Sequence, residues 1–254
     1  MHATQAPAIE AILEKGLAVA GKRRSLLTGL GARISVASEL PSSREIREPA
    51  ATATGVEPLD RLLHGAAMEG KLVELIGCRS SGRFSIGLAA LASRTSRGEP
   101  AALVDLGEHL DPQAAVEAGV DLELLLWVRP RRVKEALASA EMLLAAGFPL
   151  VVADLGLSPR GARYVPDAAW LRLSRAARSR GSSLLLLTPW RMSGIASDAV
   201  VAADAPRPLW RGSGKSPRLL SGLSSRLTLQ KLARATPAST ILLSLDVEAS
   251  LASS

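Results

Sequence analysis

Residues 72–85 read LVELIGCRSSGRFS. A short apolar run over 72–76 ends in Gly77, small and polar residues lead to Gly82, and a helical pattern runs from Ser85 to Ala92. Strand, glycine loop and helix in this order put backbone N–H groups at the start of a helix, where they attract anions. Gly77 and Gly82 stand at the spacing of a phosphate-binding loop, in which a lysine and then a serine or threonine should follow. Here Arg83 and Phe84 follow, and the next hydroxyl is Ser85, one place late. Arginine keeps the charge, but its planar fork is bulkier than an ammonium. Phe84 offers no metal ligand. Spacing alone leaves two readings open, an altered phosphate loop and a plain strand-to-helix connection.

Outward from this stretch the chain alternates. Strands are expected over residues 101–106, 124–128, 150–155 and 183–188, with helices over 112–118, 133–146 and 167–179 between them. The last of these helices would turn Trp170, Leu171 and Leu173 inward. Continuous apolar strands separated by helices specify an α/β fold, a mostly parallel twisted sheet with helices on both faces. Strands expected over 209–211, 226–232 and 240–247 have no helical pattern between them, so the sheet should end in an antiparallel C-terminal extension. Upstream, Ile9, Ile12, Leu13 and Leu17 fall at helical spacing. The expected organisation is an N-terminal helix over 1–20, a basic and then Pro- and Ser-rich linker over 21–54, the α/β domain over 55–248, and a tail over 249–254. The helix could dock on its own domain or on a second copy.

The chain has 254 residues and is 47% hydrophobic, with 31 Lys and Arg against 24 Asp and Glu, a net charge of +7. It lacks the roughly 18 unbroken apolar residues of a membrane span and a signal-peptide pattern at its start, so cytoplasmic residence without membrane contact is expected. A single cysteine, Cys78, and three scattered histidines leave no zinc or haem set. Cys78 is expected to be a small packing residue. The positive balance suits a polyanion such as nucleic acid, or reflects a basic composition alone. Basic clusters at 22–24, 129–134, 172–180 and 207–218 are ordinarily solvated faces. Trp127 and Trp170 are expected in the core.

The run TGVEPLDRLLHGAAMEGKLVELIGCRSSGRFS (54–85) resembles the segment that leads into the nucleotide loop of bacterial RecA recombinases. The likeness continues in register through AALVDLGEHLDPQAAVEAGVDLELLLWVRP (101–130), LVVADL (150–155) and LLLLTPWRMSG (184–194), and extends over about residues 55–247. It implies a RecA-like P-loop core with ATP and Mg as cofactors. The implied nucleotide-binding set is Gly77, Cys78, Arg79, Ser80, Ser81, Gly82, Arg83, Phe84, Ser85, Asp111 and Asp154, with magnesium on Ser85 and Asp154. In the family a glutamate in the turn after the second strand activates the attacking water. Gly107 fills that slot here, which leaves the adjacent Glu108 as the candidate general base. Asp154 matches the carboxylate that orients magnesium, or is a strand-end cap, and Thr188 with Pro189 replaces an Asn-Gln pair that senses the terminal phosphate.

The family's two DNA-gripping loops fall near residues 156–164 and 192–198 and are short here. Arg160, Arg163, Trp190 and Arg191 are the candidates for DNA contact at those loops. With the lysine, hydroxyl, sensor amide and long loops all altered, the chain is similar to shortened RecA-like accessory proteins of the ImuA type. That implies damage-inducible (SOS-linked) repair and translesion synthesis. The implied partners are single-stranded DNA, an error-prone polymerase or polymerase-like protein, and further copies or a RecA filament. Weak nucleotide binding with little hydrolysis is the first expectation. A divergent DNA-stimulated ATPase that uses Arg83 and Glu108, or a filament-capping scaffold, are the alternatives.

Overall fold

The computed structural model describes residues 54–63, 68–156, 165–212, 218–232 and 240–246. The expected N-terminal helix, the linker short of Thr54, the tail, Arg160 and Arg163 lie outside these residues. Among the described residues no helix is long and apolar enough to cross a membrane.

The elements, in order, are α1 (Glu57–Leu62), β1 (Leu72–Gly77), α2 (Arg83–Thr95), β2 (Ala101–Asp105), α3 (Pro112–Glu117), β3 (Leu125–Val128) and α4 (Val133–Ala145). There follow β4 (Leu150–Asp154), α5 (Asp167–Arg180), β5 (Ser183–Thr188), β6 (Ala199–Arg211), β7 (Leu219–Leu232) and β8 (Thr240–Asp246). One eight-stranded sheet runs β3-β2-β4-β5-β1-β6-β7-β8. Strands β3 through β6 are parallel, and β7 and β8 close it antiparallel.

Alternation along each strand divides the core in two, because successive side chains point to opposite faces. Val73, Leu75, Leu103, Val152, Leu185 and Leu187 pack with Leu59 and Leu62 of α1 and Ile86 and Leu91 of α2. Leu72, Val104, Val151, Leu184 and Leu186 pack on the other face with Leu137 and Leu144 of α4 and Trp170 and Leu173 of α5. Each fully buried leucine contributes about 1.5–3 kcal/mol relative to exposure, so strands covered on both faces carry most of the stabilisation. Helix α2 lies very close to the sheet. A Cβ on Gly87 would stand 2.9 Å from Leu187 Cδ1 and 3.2 Å from Val152 Cγ1.

Several boundaries differ from the sequence expectation. Helix α2 starts at Arg83, two residues early, because Gly82 takes the left-handed conformation (φ 83°) that begins the helix. Strand β6 covers residues 199–211 rather than 209–211: the run AVVAA pairs parallel with β1, and a register shift between Asp204 and Arg207 accommodates Pro206. Strand β7 starts at Leu219 rather than 226, because pairing with β6 holds its Gly- and Ser-containing stretch extended. Leu171 is half-buried, beside the buried Trp170 and Leu173.

Candidate nucleotide site

At the carboxyl edge of the sheet the chain leaves β1 at Gly77 and enters α2 at Arg83. The loop between them is tightly folded. Ser80 adopts a positive φ of 57°, the Ser81 amide donates to the Cys78 carbonyl (3.3 Å), and a Cβ on Gly77 would lie 2.2 Å from Ser81 Oγ. Only glycine fits there. Ser81 Oγ is itself buried with no hydrogen-bond partner, and the first-turn amides of α2 have no intrahelical acceptor. These groups could hold a phosphate. Cys78 is exposed, not packed, so the expectation for it is corrected.

The Arg83 side chain turns away from the loop mouth and into the protein, where it is 4% exposed. Its Nη1 donates to the Gly77 carbonyl and its Nη2 to the Gly156 carbonyl, both at 2.8 Å, and Nη2 lies 3.6 Å from Asp154 Oδ1. The terminal nitrogens that would meet a phosphate are therefore bonded to protein. Asp154, fully buried at the end of β4, also takes the Gly156 amide on Oδ1 (3.2 Å) and His109 Nδ1 on Oδ2 (2.6 Å). Burial pulls the Arg83 guanidinium below its ordinary value, against the opposing charge of Asp154. Burial likewise pushes the Asp154 carboxyl above its ordinary value, opposed by Arg83, then His109.

His109, which sequence reasoning passed over, completes this cluster. Its amide donates to Asp105 Oδ1 (3.0 Å) while its ring meets Phe84 edge to face, centroids 5.6 Å apart. The only signal available was its adjacency to Glu108. Glu108 has a positive φ of 52°, which turns its own side chain to solvent, where it pairs with Arg129 at 3.2 Å and is 68% exposed. The partner of Glu108 is thus an arginine just after β3. There is no room for a side chain at Gly107, where a Cβ would lie 2.5 Å from Asp154 Oδ2 and 2.7 Å from His109 Nδ1. Gly107→Ala is accordingly expected to cost about 1–3 kcal/mol of stability by overpacking, measurable as a lowered urea midpoint. An unchanged midpoint would mean that His109 swings aside freely.

The remaining candidates fall in other places. Asp111 caps α3, its Oδ1 taking the Gln113 amide at 3.0 Å. Ser85 is exposed, one residue and so about 100° around the helix from Phe84. Trp170 is buried as expected, whereas Trp127 is only half-buried, its Nε1 on Asp105 (3.3 Å) and its ring under Arg129 (5.1 Å). Trp190 is exposed, and Arg191 donates to the Gly194 carbonyl at 3.2 Å.

Glu74 was also missed. It is fully buried in β1, and its carboxylate accepts from Thr188 Oγ1 (3.0 Å), from the Met192 amide (2.6 Å), and from the amide and hydroxyl of Ser193. An acid inside an otherwise apolar buried strand was the readable signal. It fixes the segment bearing Trp190 and Arg191, and it takes the Thr188 hydroxyl out of any phosphate-sensing role.

Magnesium does not fit this arrangement: position 84 has no oxygen, and Asp154 is already bonded to Arg83, His109 and Gly156. Among the described residues no group of three or more His, Cys, Asp or Glu could hold a metal.

A glycine loop after the first strand of a parallel sheet in this order defines a RecA-like P-loop domain. Comparison with known proteins agrees. Residues 38–161 match the family model of the RecA N-terminal domain. Protein RecA of Mycolicibacterium vanbaalenii is 36% identical over 147 residues, 57% of this chain and 39% of that protein. Protein RecA of Paracoccus denitrificans is 32% identical over 154 residues, 59% of this chain and 43% of that protein. The chain thus spans about two-fifths of the length of these relatives. The crystal structure of the RadB recombinase matches in fold with a TM-score of 0.56 and 16% identity, over 75% of this chain and 94% of that one. The chain is RecA-like, in sequence over residues 38–161 and in fold over the described domain.

Proposed function

We propose that the chain is an accessory protein of DNA repair, of the ImuA type, in SOS-linked translesion synthesis. In this reading it binds single-stranded DNA and partner repair proteins, binds ATP weakly and hydrolyses little of it. Its partners include an error-prone polymerase or polymerase-like protein and a RecA filament or further copies of itself. The observation that carries the reading is the inward Arg83, whose guanidinium bonds two backbone carbonyls where a lysine would reach a phosphate. Similarity to RecA supports the repair and recombination setting. Arg160, Arg163, Trp190 and Arg191 remain candidates for DNA contact.

The test measures ATP binding and phosphate release with magnesium, with and without single-stranded DNA. Weak binding and a turnover that DNA does not raise are expected. Robust, magnesium-dependent, DNA-stimulated turnover would overturn the reading in favour of a divergent ATPase, whose footing here is the unpartnered Ser81 hydroxyl. For the partner, the full chain is expected to co-purify with a polymerase-like protein encoded beside it.

A further inference from the structure

A divalent cation at a phosphate-binding loop bridges phosphate oxygens and is the largest local charge, set between the phosphates and a strand-end carboxylate. Here that carboxylate is Asp154, and a cation of the chain itself stands against it. Arg83 Nη2 lies 3.6 Å from Asp154 Oδ1, while Nη1 and Nη2 donate to the carbonyls of Gly77, at the end of β1, and Gly156, just beyond β4. The guanidinium thereby ties the first residue of the loop to the segment after β4, and both members of the pair are buried. The surroundings that a metal's waters would need are filled as well. Magnesium dehydrates reluctantly and keeps several waters in a site. Phe84 stands where the expected hydroxyl would be, its ring edge to face with His109, and His109 Nδ1 bonds the second oxygen of Asp154. An aromatic ring and a guanidinium offer a divalent cation no oxygen and a like charge.

What the loop still offers suits an anion. The Ser81 hydroxyl is buried within it and has no hydrogen-bond partner. The first-turn amides of α2, a helix of 13 residues, have no intrahelical acceptor. Arg79, inside the loop, is exposed and adds a positive charge beside these donors.

We propose that the loop over residues 77–83 binds the phosphate chain of a di- or triphosphate without magnesium, with Arg83 standing in for the metal against Asp154 and Arg79 meeting the phosphates. The proposal rests on the reading of this loop as a weak ATP site and names the ionic form that it takes, the metal-free anion. The magnesium complex is disfavoured because its cation would face the Arg83 guanidinium and the Phe84 ring. Weak binding in excess magnesium then follows from the scarcity of free anion. A nucleotide and inorganic pyrophosphate share this chemistry.

The experiment is isothermal titration calorimetry of the full-length chain with ATP and, separately, with inorganic pyrophosphate, each in EDTA and in excess magnesium. Both are expected to bind in EDTA, and magnesium to weaken each about tenfold by leaving little of it in the competent form. Either order of affinity supports the proposal: tighter binding of ATP identifies a nucleotide as the ligand, and equal binding identifies the phosphate chain alone. Arg79→Ala is expected to weaken pyrophosphate binding in EDTA about tenfold, the loss of a hydrogen bond to a charged group. The double variant Arg83→Lys, Phe84→Thr supplies a lysine and a hydroxyl, and magnesium is expected to strengthen its binding. Thermal melts report whether each variant remains folded. Binding by the parent that magnesium strengthens or leaves unchanged overturns the proposal, and so does an absence of binding in both buffers or an unchanged affinity in Arg79→Ala. Each of these leaves an accessory protein with little turnover intact, whereas robust magnesium-dependent, DNA-stimulated turnover overturns both. Weakening by magnesium as large in the folded double variant as in the parent overturns the assignment to Arg83 and Phe84.

Discussion

Arg83→Met is expected to lower the unfolding free energy by about 3–5 kcal/mol, as for removal of one partner from a buried ion pair. The substitution keeps much of the side-chain volume and removes every donor. The Gly77 and Gly156 carbonyls lose their 2.8 Å partners and Asp154, fully buried, loses its neighbouring cation. Chemical denaturation measures the loss. Asp154→Asn alone is expected to cost a comparable amount, because it strands the guanidinium. The two together should cost clearly less than their sum, since the pair's desolvation disappears with it. Strict additivity would show that the guanidinium and carboxylate do not depend on one another. A loss below about 0.5 kcal/mol for Arg83→Met would place this arginine among ordinary surface substitutions and remove the structural basis for an internally occupied loop.

The parallel core was legible because strands buried on both faces appear as apolar runs, LVVA before Asp154 and LLLL between Ser183 and Thr188 among them. The antiparallel extension was less so. Pro206, Pro208 and the Gly and Ser residues of β7 read locally as turns, and only the β6–β7 ladder, with its register shifts, holds them extended. The glycine frame of the site was equally plain in the sequence. The direction of Arg83 was not, because its acceptor Gly156 and its counter-ion Asp154 lie more than seventy residues away and are brought close by β4, two strands from β1. Between Glu108 and His109 the choice rests on a single backbone angle, the positive φ of Glu108, which sends one side chain to solvent and leaves the other on Asp154. Local propensity carries no such information.

Glu74→Leu is the second large effect expected, and it tests how the segment after β5 is held. Thr188 Oγ1, the Met192 amide and both donors of Ser193 converge on this one buried carboxylate. With leucine at position 74 they have no acceptor there, and each buried donor left unpaired costs about 1–3 kcal/mol. Relief of the carboxylate's own desolvation offsets part of that cost, so a net loss of about 3 kcal/mol in denaturant unfolding is expected. Hydrogen exchange at the Met192 and Ser193 amides should rise more than at the β4 core, because the segment opens locally before the sheet does. Glu74→Gln retains one acceptor oxygen but turns an NH2 group towards donors, so it should fall between leucine and the parent. Unchanged exchange at Met192 and Ser193 in the leucine variant would mean that packing of the neighbouring Ala196 and Ala199, both buried, holds the segment instead. In that case Trp190 and Arg191 would owe their placement to the core and not to Glu74.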